Sequence, residues 1–360
     1  MTKTKVAVLG GGNGAHAAAA DLTLRGFEVH MCEDERFAGR MEKVFNTKQI
    51  KISGVCGDDT VSIAMVTTDL KVALAGVRYI LVVVPAFAHK EYAEKLVNVI
   101  QPGQVVFLLP GTFGSLIFWK TFQKVKKDIV IAETDTLPYA ARLTGEGEVT
   151  VMNRFNPLKV GVIPASKTDK TVQELSQFFD GLKATENIVA CGLSSMNPVL
   201  HVPGCILNAG RIEYAKGEFF CYTEGFTHCV ARTTEVVDKE RIALLEQFGY
   251  KWDILAHTIR TDITTDDLYE AVAEHPTITK IKGPADLKNR YYSEDIPYGI
   301  AIWAKLAKSI GVETPMMDSM VHIGSAIMEQ NCWTSGHSLK ELGIDGMDIE
   351  RLKEYLETGE

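Results

Sequence analysis

The sequence predicts two domains, a doubly wound α/β sheet over residues 1–186 and a mostly α-helical domain over 187–360. Three observations carry that expectation. A chain of 360 residues is long for one ordinary core and suits two. Short β-rich apolar runs alternate with stretches of helical spacing through the first half. Beyond residue 186 convincing strands stop and long helical patterns take over.

The first predicted strand is Lys5–Leu9, followed by glycines and an alanine-rich helix over 15–24. Arg25 and Gly26 close that helix, a cation near its C-terminus and a glycine just beyond. Glu28–Cys32 reads as the second strand. The runs 79–84, 104–109 and 129–132 are apolar without strict alternation, the texture of strands buried on both faces of a covered parallel sheet. Helical spacing fills 69–75 and 89–100 between them. Further strands are expected at 148–152 and 159–162, with a helix over 168–182. In the second half, 195–214, 226–248, 298–310 and 318–330 carry helical patterning.

Composition narrows the class of function. Hydrophobic residues are 46% and charged residues 23%, the balance of a folded globular protein. A net charge of −8 argues against nucleic-acid and anionic-membrane partners, which an acidic surface repels. Seven scattered cysteines without a C-x-x-C pair suggest reduced thiols, with neither a disulfide framework nor a metal site. The N-terminal apolar run is too short for a signal peptide, and no later one could span a bilayer, so a cytoplasmic protein is expected.

Gly10-Gly-Gly-Asn-Gly-Ala15 matches G-x-G-x-x-(G/A), with Gly10, Gly12 and Ala15 in the signature places and Asn13 and Gly14 between them. Gly10 permits the tight turn, Gly12 lets backbone approach a pyrophosphate, and Ala15 lets helix and strand pack closely. The free N–H groups of the following helix suit phosphate. Such glycines often serve only to turn the chain. Here, however, they follow a strand, open a helix, and are followed by an acid, Glu33, at the end of the next strand. This is the pattern of a Rossmann-type domain holding a dinucleotide. A carboxylate at Glu33 would accept the ribose hydroxyls and repel a 2′-phosphate, so NAD is favoured over NADP. Asp34 and Glu35 add negative charge, and Arg36 and Arg40 are the nearby counterweights. Pro85 and Ala86 follow one strand, and Pro110 and Gly111 another; turns at strand ends border the ligand crevice of such sheets.

A dehydrogenase needs a group to move a proton while hydride moves, and histidine is best matched near neutral pH. Of nine histidines, His201 stands apart in the apolar segment Asn197-Pro-Val-Leu-His-Val-Pro203, with Asn197 four residues earlier on the same helical face. A buried, hydrogen-bonded histidine would look the same. Arg290 and Asp295 form a second cluster, an arginine suited to a carboxylate clamp and an aspartate suited to orienting an imidazole. On these residues alone a surface ion pair beside a helix start is the stronger reading.

These residues, taken together, resemble the opine dehydrogenase family, which includes the octopine dehydrogenases and N-(1-D-carboxyethyl)-L-norvaline dehydrogenase. The resemblance rests on the glycine turn with His16, on Val82-Val-Val-Pro-Ala86, Pro110-Gly-Thr112 and Glu133-Thr134, and on the stretch from Asn197 to Pro203. Leu207-Asn-Ala209, Arg290-Tyr291, Glu294-Asp295 and Thr314-Pro315 continue it in family order to about residue 345. It implies reductive condensation of an α-keto acid such as pyruvate with the amino group of an amino acid, using NAD(P)H. It implies His201 as the catalytic histidine, Asp295 as its partner and Arg290 as the active-site arginine. Thr134, Arg142, Asn197 and Asn208 are the expected substrate contacts, the partners are the two small substrates, and a homodimer is left open. The rivals are a keto-acid or hydroxy-acid reductase of the ketopantoate reductase or glycerol-3-phosphate dehydrogenase type, commonly with a catalytic lysine, and a non-catalytic NAD-binding sensor.

Overall fold

The structure, a computed structural model, describes residues 3–125 and 128–360. It divides into two compact units. One runs through Ser194 and takes in Glu354–Glu360; the other is Ser195–Lys353.

The first unit opens with β1 (Lys5–Leu9), α1 (Asn13–Leu24), β2 (Glu28–Cys32), α2 (Glu42–Thr47), β3 (Gln49–Gly54) and β4 (Asp59–Ser62). It continues through β5 (Met65–Thr67), α3 (Leu70–Ala73), β6 (Tyr79–Val82), α4 (His89–Leu96), β7 (Val105–Leu108) and α5 (Gly114–Phe122). Then come β8 (Val130–Thr134), β9 (Tyr139–Gly145), β10 (Glu148–Arg154), β11 (Leu158–Ile163), α6 (Thr168–Leu175), β12 (Leu182–Ala184) and α7 (Ile188–Leu193). The main sheet has the order β12-β11-β8-β7-β6-β1-β2-β5. All neighbours are parallel except β11, which is antiparallel to β8. From β5 inward to β1 and outward again to β8, the order is that of a dinucleotide-binding sheet, reversing between β1 and β6. β6 and β7 are apolar throughout, and β1 is apolar after Lys5, because the sheet is covered on both faces.

A second sheet, β4-β3-β10-β9, packs on α1. That explains the alanines. Ala17, Ala18, Ala19 and Ala20 are all fully buried in a core that also takes Ile50, Ile52, Val149 and Val151 from the small sheet. A helix covered on both sides has no solvent face and needs small side chains to let both layers approach.

Two details differ from the sequence-based expectation. The helix expected over 168–182 ends at Leu175, because Phe178 and Phe179 turn into the core and Gly181, at φ +69°, leads into β12. α7 packs against β8 and β11, so the first unit extends past 186 to Ser194. The segment Glu354–Glu360 returns to this unit, where Trp119 Nε1 (3.0 Å) and Gln123 Nε2 (2.8 Å) both donate to the Gly359 carbonyl.

The second unit contains α8 (Met196–Leu207), α9 (Ala209–Ala215), α10 (His228–Gln247), α11 (Leu255–Ile259) and α12 (Leu268–Ala273). α13 (Arg290–Ser293), α14 (Ala301–Ser309) and α15 (Pro315–Ile327) follow. Its β-structure among the described residues is one isolated bridge, Phe220 with Lys282. Two π-turns, Cys221–Gly225 and Asp295–Ile300, interrupt the helices. α15 starts with Pro at its first turn, and buried Glu240 on α10 accepts hydrogen bonds from the N–H groups of Met316 (2.7 Å) and Met317 (2.8 Å). This is a charge-assisted cap supplied by a neighbouring helix. No helix among the described residues is long and apolar enough to cross a membrane.

Candidate active site

In the first unit the glycine turn leaves the carboxyl end of β1. Gly10 has φ +117°, and a Cβ there would stand 2.5 Å from the Val83 carbonyl oxygen. Gly12 is extended, with open space where a Cβ would be, and no side chain caps the N-terminus of α1. Asn13 Oδ1 accepts from the Leu143 N–H at 2.9 Å, tying the turn to β9. Gly14 lies under Leu137, and Ala15 is fully buried. His16 is buried beneath the turn with Nδ1 3.2 Å from the Gly12 carbonyl, and burial lowers its pKa, so it supports the loop as a neutral imidazole. Gly10 and Gly12 therefore differ in kind. Gly10→Ala is expected to cost roughly 1–3 kcal/mol of stability through backbone strain. Gly12→Ala should leave the melting temperature unchanged but weaken NADH binding, since its methyl would enter the space a pyrophosphate needs. Thermal melts paired with cofactor titration check both.

Glu33 ends β2. It is nearly buried, its Oε1 accepting from the Asp34 N–H (2.7 Å) and the Tyr92 hydroxyl (3.2 Å), and its other oxygen lying against Gly11. Burial raises its pKa. Glu33 lines a cavity of about 360 Å³ with Cys32, Asp34, Thr68, Tyr92 and Lys95. Pro85 caps a single 3₁₀ turn, Ala86–Ala88, beyond β6, and Ala86 is buried. The turn beyond β7 is more constrained. Thr112 and Phe113 both have positive φ (50° and 64°), and Gly111 packs directly on Glu133. Glu133 is fully buried and accepts from the Phe113 N–H (3.0 Å), the Ser115 N–H (3.1 Å) and the Ser115 hydroxyl (2.5 Å). Burial pushes its pKa up to about 7. An uncapped helix start, an open Gly12 and a carboxylate beside a cavity at the end of β2 fit a dinucleotide.

In the second unit, His201 Nδ1 lies 2.7 Å from Asp295 Oδ2, across 94 residues of sequence. Both side chains are nearly buried. His201 stands on the second turn of α8, and Asp295 opens the π-turn. These elements approach closely because Gly299 has no side chain; a Cβ there would be 2.6 Å from Pro198 Cγ. The Tyr291 ring stacks on the imidazole at 3.6 Å and 18° between planes. Asp295 holds Nδ1, the Tyr291 ring covers one face, and Nε2 is left as the nitrogen for proton transfer. Tyr292 donates its hydroxyl to the Cys205 carbonyl (2.6 Å), fixing α8 one turn beyond His201.

The other expected residues are less uniformly placed. Arg290 is 61% exposed and paired with nearly buried Glu294, four residues on. Asn197 is half-buried, one turn before His201. Asn208 gives its amide to the Gly204 (2.7 Å) and Gly225 (3.0 Å) carbonyls, which makes it a joint between α8 and the first π-turn. Thr134 is fully buried with its hydroxyl on the Thr136 carbonyl (2.7 Å). Arg142 is exposed on β9, beside the Leu143 held by Asn13. Sequence reading missed the Tyr291 stack, the Glu133 anchor and the Tyr92 and Lys95 walls of the cavity. Glu133 was discoverable as an acid directly following the apolar run 129–132. The others depend on packing between distant segments.

Residues 184–328 match the family model described as NAD/NADP octopine/nopaline dehydrogenase, alpha-helical domain. Residues 5–116 match the N-terminus of NAD-dependent glycerol-3-phosphate dehydrogenase. An opine dehydrogenase of Arthrobacter sp. (strain 1C) is 30% identical over 355 residues, covering 98% of each chain. Octopine dehydrogenase solved with NADH and pyruvate has a TM-score of 0.79 at 18% identity, covering 99% of this chain and 98% of that one. A ketopantoate reductase from Ralstonia eutropha JMP134 has a TM-score of 0.63 at 15% identity, covering 91% and 99%.

Proposed function

The chain belongs to the opine dehydrogenase family, and from that premise we propose that it reduces, with NADH, the imine formed between pyruvate and the amino group of an amino acid. It is accordingly an oxidoreductase of CH–NH bonds that uses a nicotinamide dinucleotide. The observation that carries the finer reading is the His201–Asp295 pair, 2.7 Å apart with both side chains nearly buried.

The residues divide the work. Gly10, Gly12, Asn13, Gly14 and Ala15 would hold the pyrophosphate at the start of α1, Glu33 the adenosine ribose, and Pro85 and Ala86 the wall beyond β6. The dinucleotide, when bound, supplies the hydride. His201 would take a proton from the substrate ammonium through Nε2, freeing the amine to attack the keto carbon, and return that proton to the carbinolamine hydroxyl, which leaves as water. Asp295 keeps Nδ1 protonated and stabilises the imidazolium when Nε2 carries a proton. Arg290, whose guanidinium is exposed, would turn from Glu294 to a substrate carboxylate. Asn197 would add a polar contact one turn before the imidazole, Arg142 a cation for an acidic group beside the glycine turn, and Thr134 and Asn208 would hold backbone near the substrates.

The test is NADH oxidation with pyruvate, with and without each of the twenty amino acids. Oxidation should require both substrates and select among the amino acids. Equal oxidation with pyruvate alone would make the protein a keto-acid reductase. Tight NADH binding without turnover in any mixture would make it a sensor.

A further inference from the structure

Two cations stand at the cavity beyond β2, and both are already occupied. Arg36 donates Nε to Asp34 Oδ1 at 2.8 Å and Nη2 to Oδ2 at 3.1 Å, the bidentate fork an arginine offers to carboxylate or phosphate. Lys95, from α4, pairs with the same Oδ2 and with Glu91 at 2.6 Å. Arg36 also reaches Glu91, which ties the cluster together. The Asp34 side chain is only 9% exposed, while Arg36 is 56% and Lys95 37% exposed. The Arg36 guanidinium, first among its partners, holds the Asp34 carboxyl well below the usual carboxylate range. Glu33 is committed elsewhere, to Tyr92, the Asp34 N–H and the underside of the glycine turn.

Resting on the reading of the cavity as the adenosine-ribose site, we infer that Asp34, rather than Glu33, sets the choice between NAD and NADP. A guanidinium fork and an ammonium on one wall of a ribose pocket form a receptor for the 2′-phosphate of NADP. In this chain Asp34 fills that receptor with an internal carboxylate. A 2′-phosphate would have to displace Asp34 and then lie against its charge and that of Glu33. NAD brings no anion there and leaves the cluster intact. Glu33 serves the ribose of both cofactors and the turn beneath it, so its loss weakens both. The expectation that Glu33 decides the preference thus moves one residue along the chain.

The experiment titrates the whole protein with NADH and with NADPH, followed by nicotinamide fluorescence without substrates. Wild type should bind NADH at least about tenfold more tightly. Asp34→Ser should tighten NADPH by about tenfold or more, with a smaller change for NADH. Adding Lys95→Met should take most of that gain back, and raised salt should erode it. Glu33→Gln should shift the NADH-to-NADPH ratio less than Asp34→Ser does. Asp34→Asn, nearly isosteric, gives the same direction of change and guards against a misfolded serine variant. An unchanged ratio in both Asp34 variants, or a larger shift in Glu33→Gln, overturns the inference while leaving NADH binding in place. Failure of the wild type to bind either dinucleotide would remove the functional reading beneath it as well.

Discussion

His201→Ala is expected to lower kcat by about two orders of magnitude or more while leaving NADH affinity near wild type. The imidazole belongs to the second unit, and its bonds are to Asp295 and the Tyr291 ring, so truncation leaves the glycine turn and Glu33 untouched. Asp295→Asn should act through the same pair. An amide cannot stabilise the imidazolium and can present its NH₂ to Nδ1, favouring the wrong tautomer. Because the two side chains act as one device, the double variant should be far less impaired than the product of the single losses. Steady-state kinetics on the four proteins decide it. Losses that multiply would show two independent roles, and near-normal turnover in His201→Ala would remove the histidine from the chemistry.

The second large effect concerns stability and pH. The folded state raises the pKa of Glu133 from 4.5 to about 7 by complete burial, even with three donors on its oxygens. A carboxyl whose folded pKa is raised disfavours the folded state once the unfolded chain can ionise. Below pH 4.5 both states hold the proton and there is no penalty. Between pH 4.5 and about 7 stability falls, by about 3 kcal/mol in total from this group, and above that the loss is complete. Glu133→Gln removes the titration and forfeits one accepting oxygen. The variant should therefore be less stable than wild type at pH 5 and gain about 2.5 kcal/mol on it between pH 5 and pH 8. Urea unfolding at the two pH values measures the difference directly. Parallel pH profiles for the two proteins would mean that Glu133 does not titrate in this range. The geometry links this effect to the site, since Glu133 holds the strained Thr112–Phe113 backbone beyond β7.

Much of the main sheet was legible because its strands are buried on both faces, and continuous apolar runs announce them. β3, β4 and β9 passed unread for the opposite reason. They lie in a small sheet with one exposed side, where Ile50 and Ile52 alternate with polar residues over a few positions. α1 was visible from its alanines, yet the reason for them, a sheet on each side, was not. In the second unit α10 follows its pattern to within two residues at each end, since a long half-buried helix repeats its signal. His201 stood out by being polar among apolar neighbours. Its link to Asp295 could not be read from spacing, because a contact across 94 residues exists only once α8 and the π-turn have packed. The resemblance supplied that pairing. Asn208 shows the converse, a polar residue in a suggestive place whose amide is spent on two backbone carbonyls.

The return of Glu354–Glu360 to the first unit sets an order on synthesis. A ribosome finishes the residues through Ser194 early, but those that bond Trp119 and Gln123 emerge only after the entire helical unit has been translated. The nascent first unit therefore waits with the Trp119 indole and Gln123 amide lacking their Gly359 acceptor. The helical unit meanwhile folds as an insertion between two parts of its neighbour. Closing so long a connection costs little more entropy than closing one half its length, because the penalty grows only logarithmically. Delay, rather than thermodynamic cost, is what this arrangement imposes on the newborn chain.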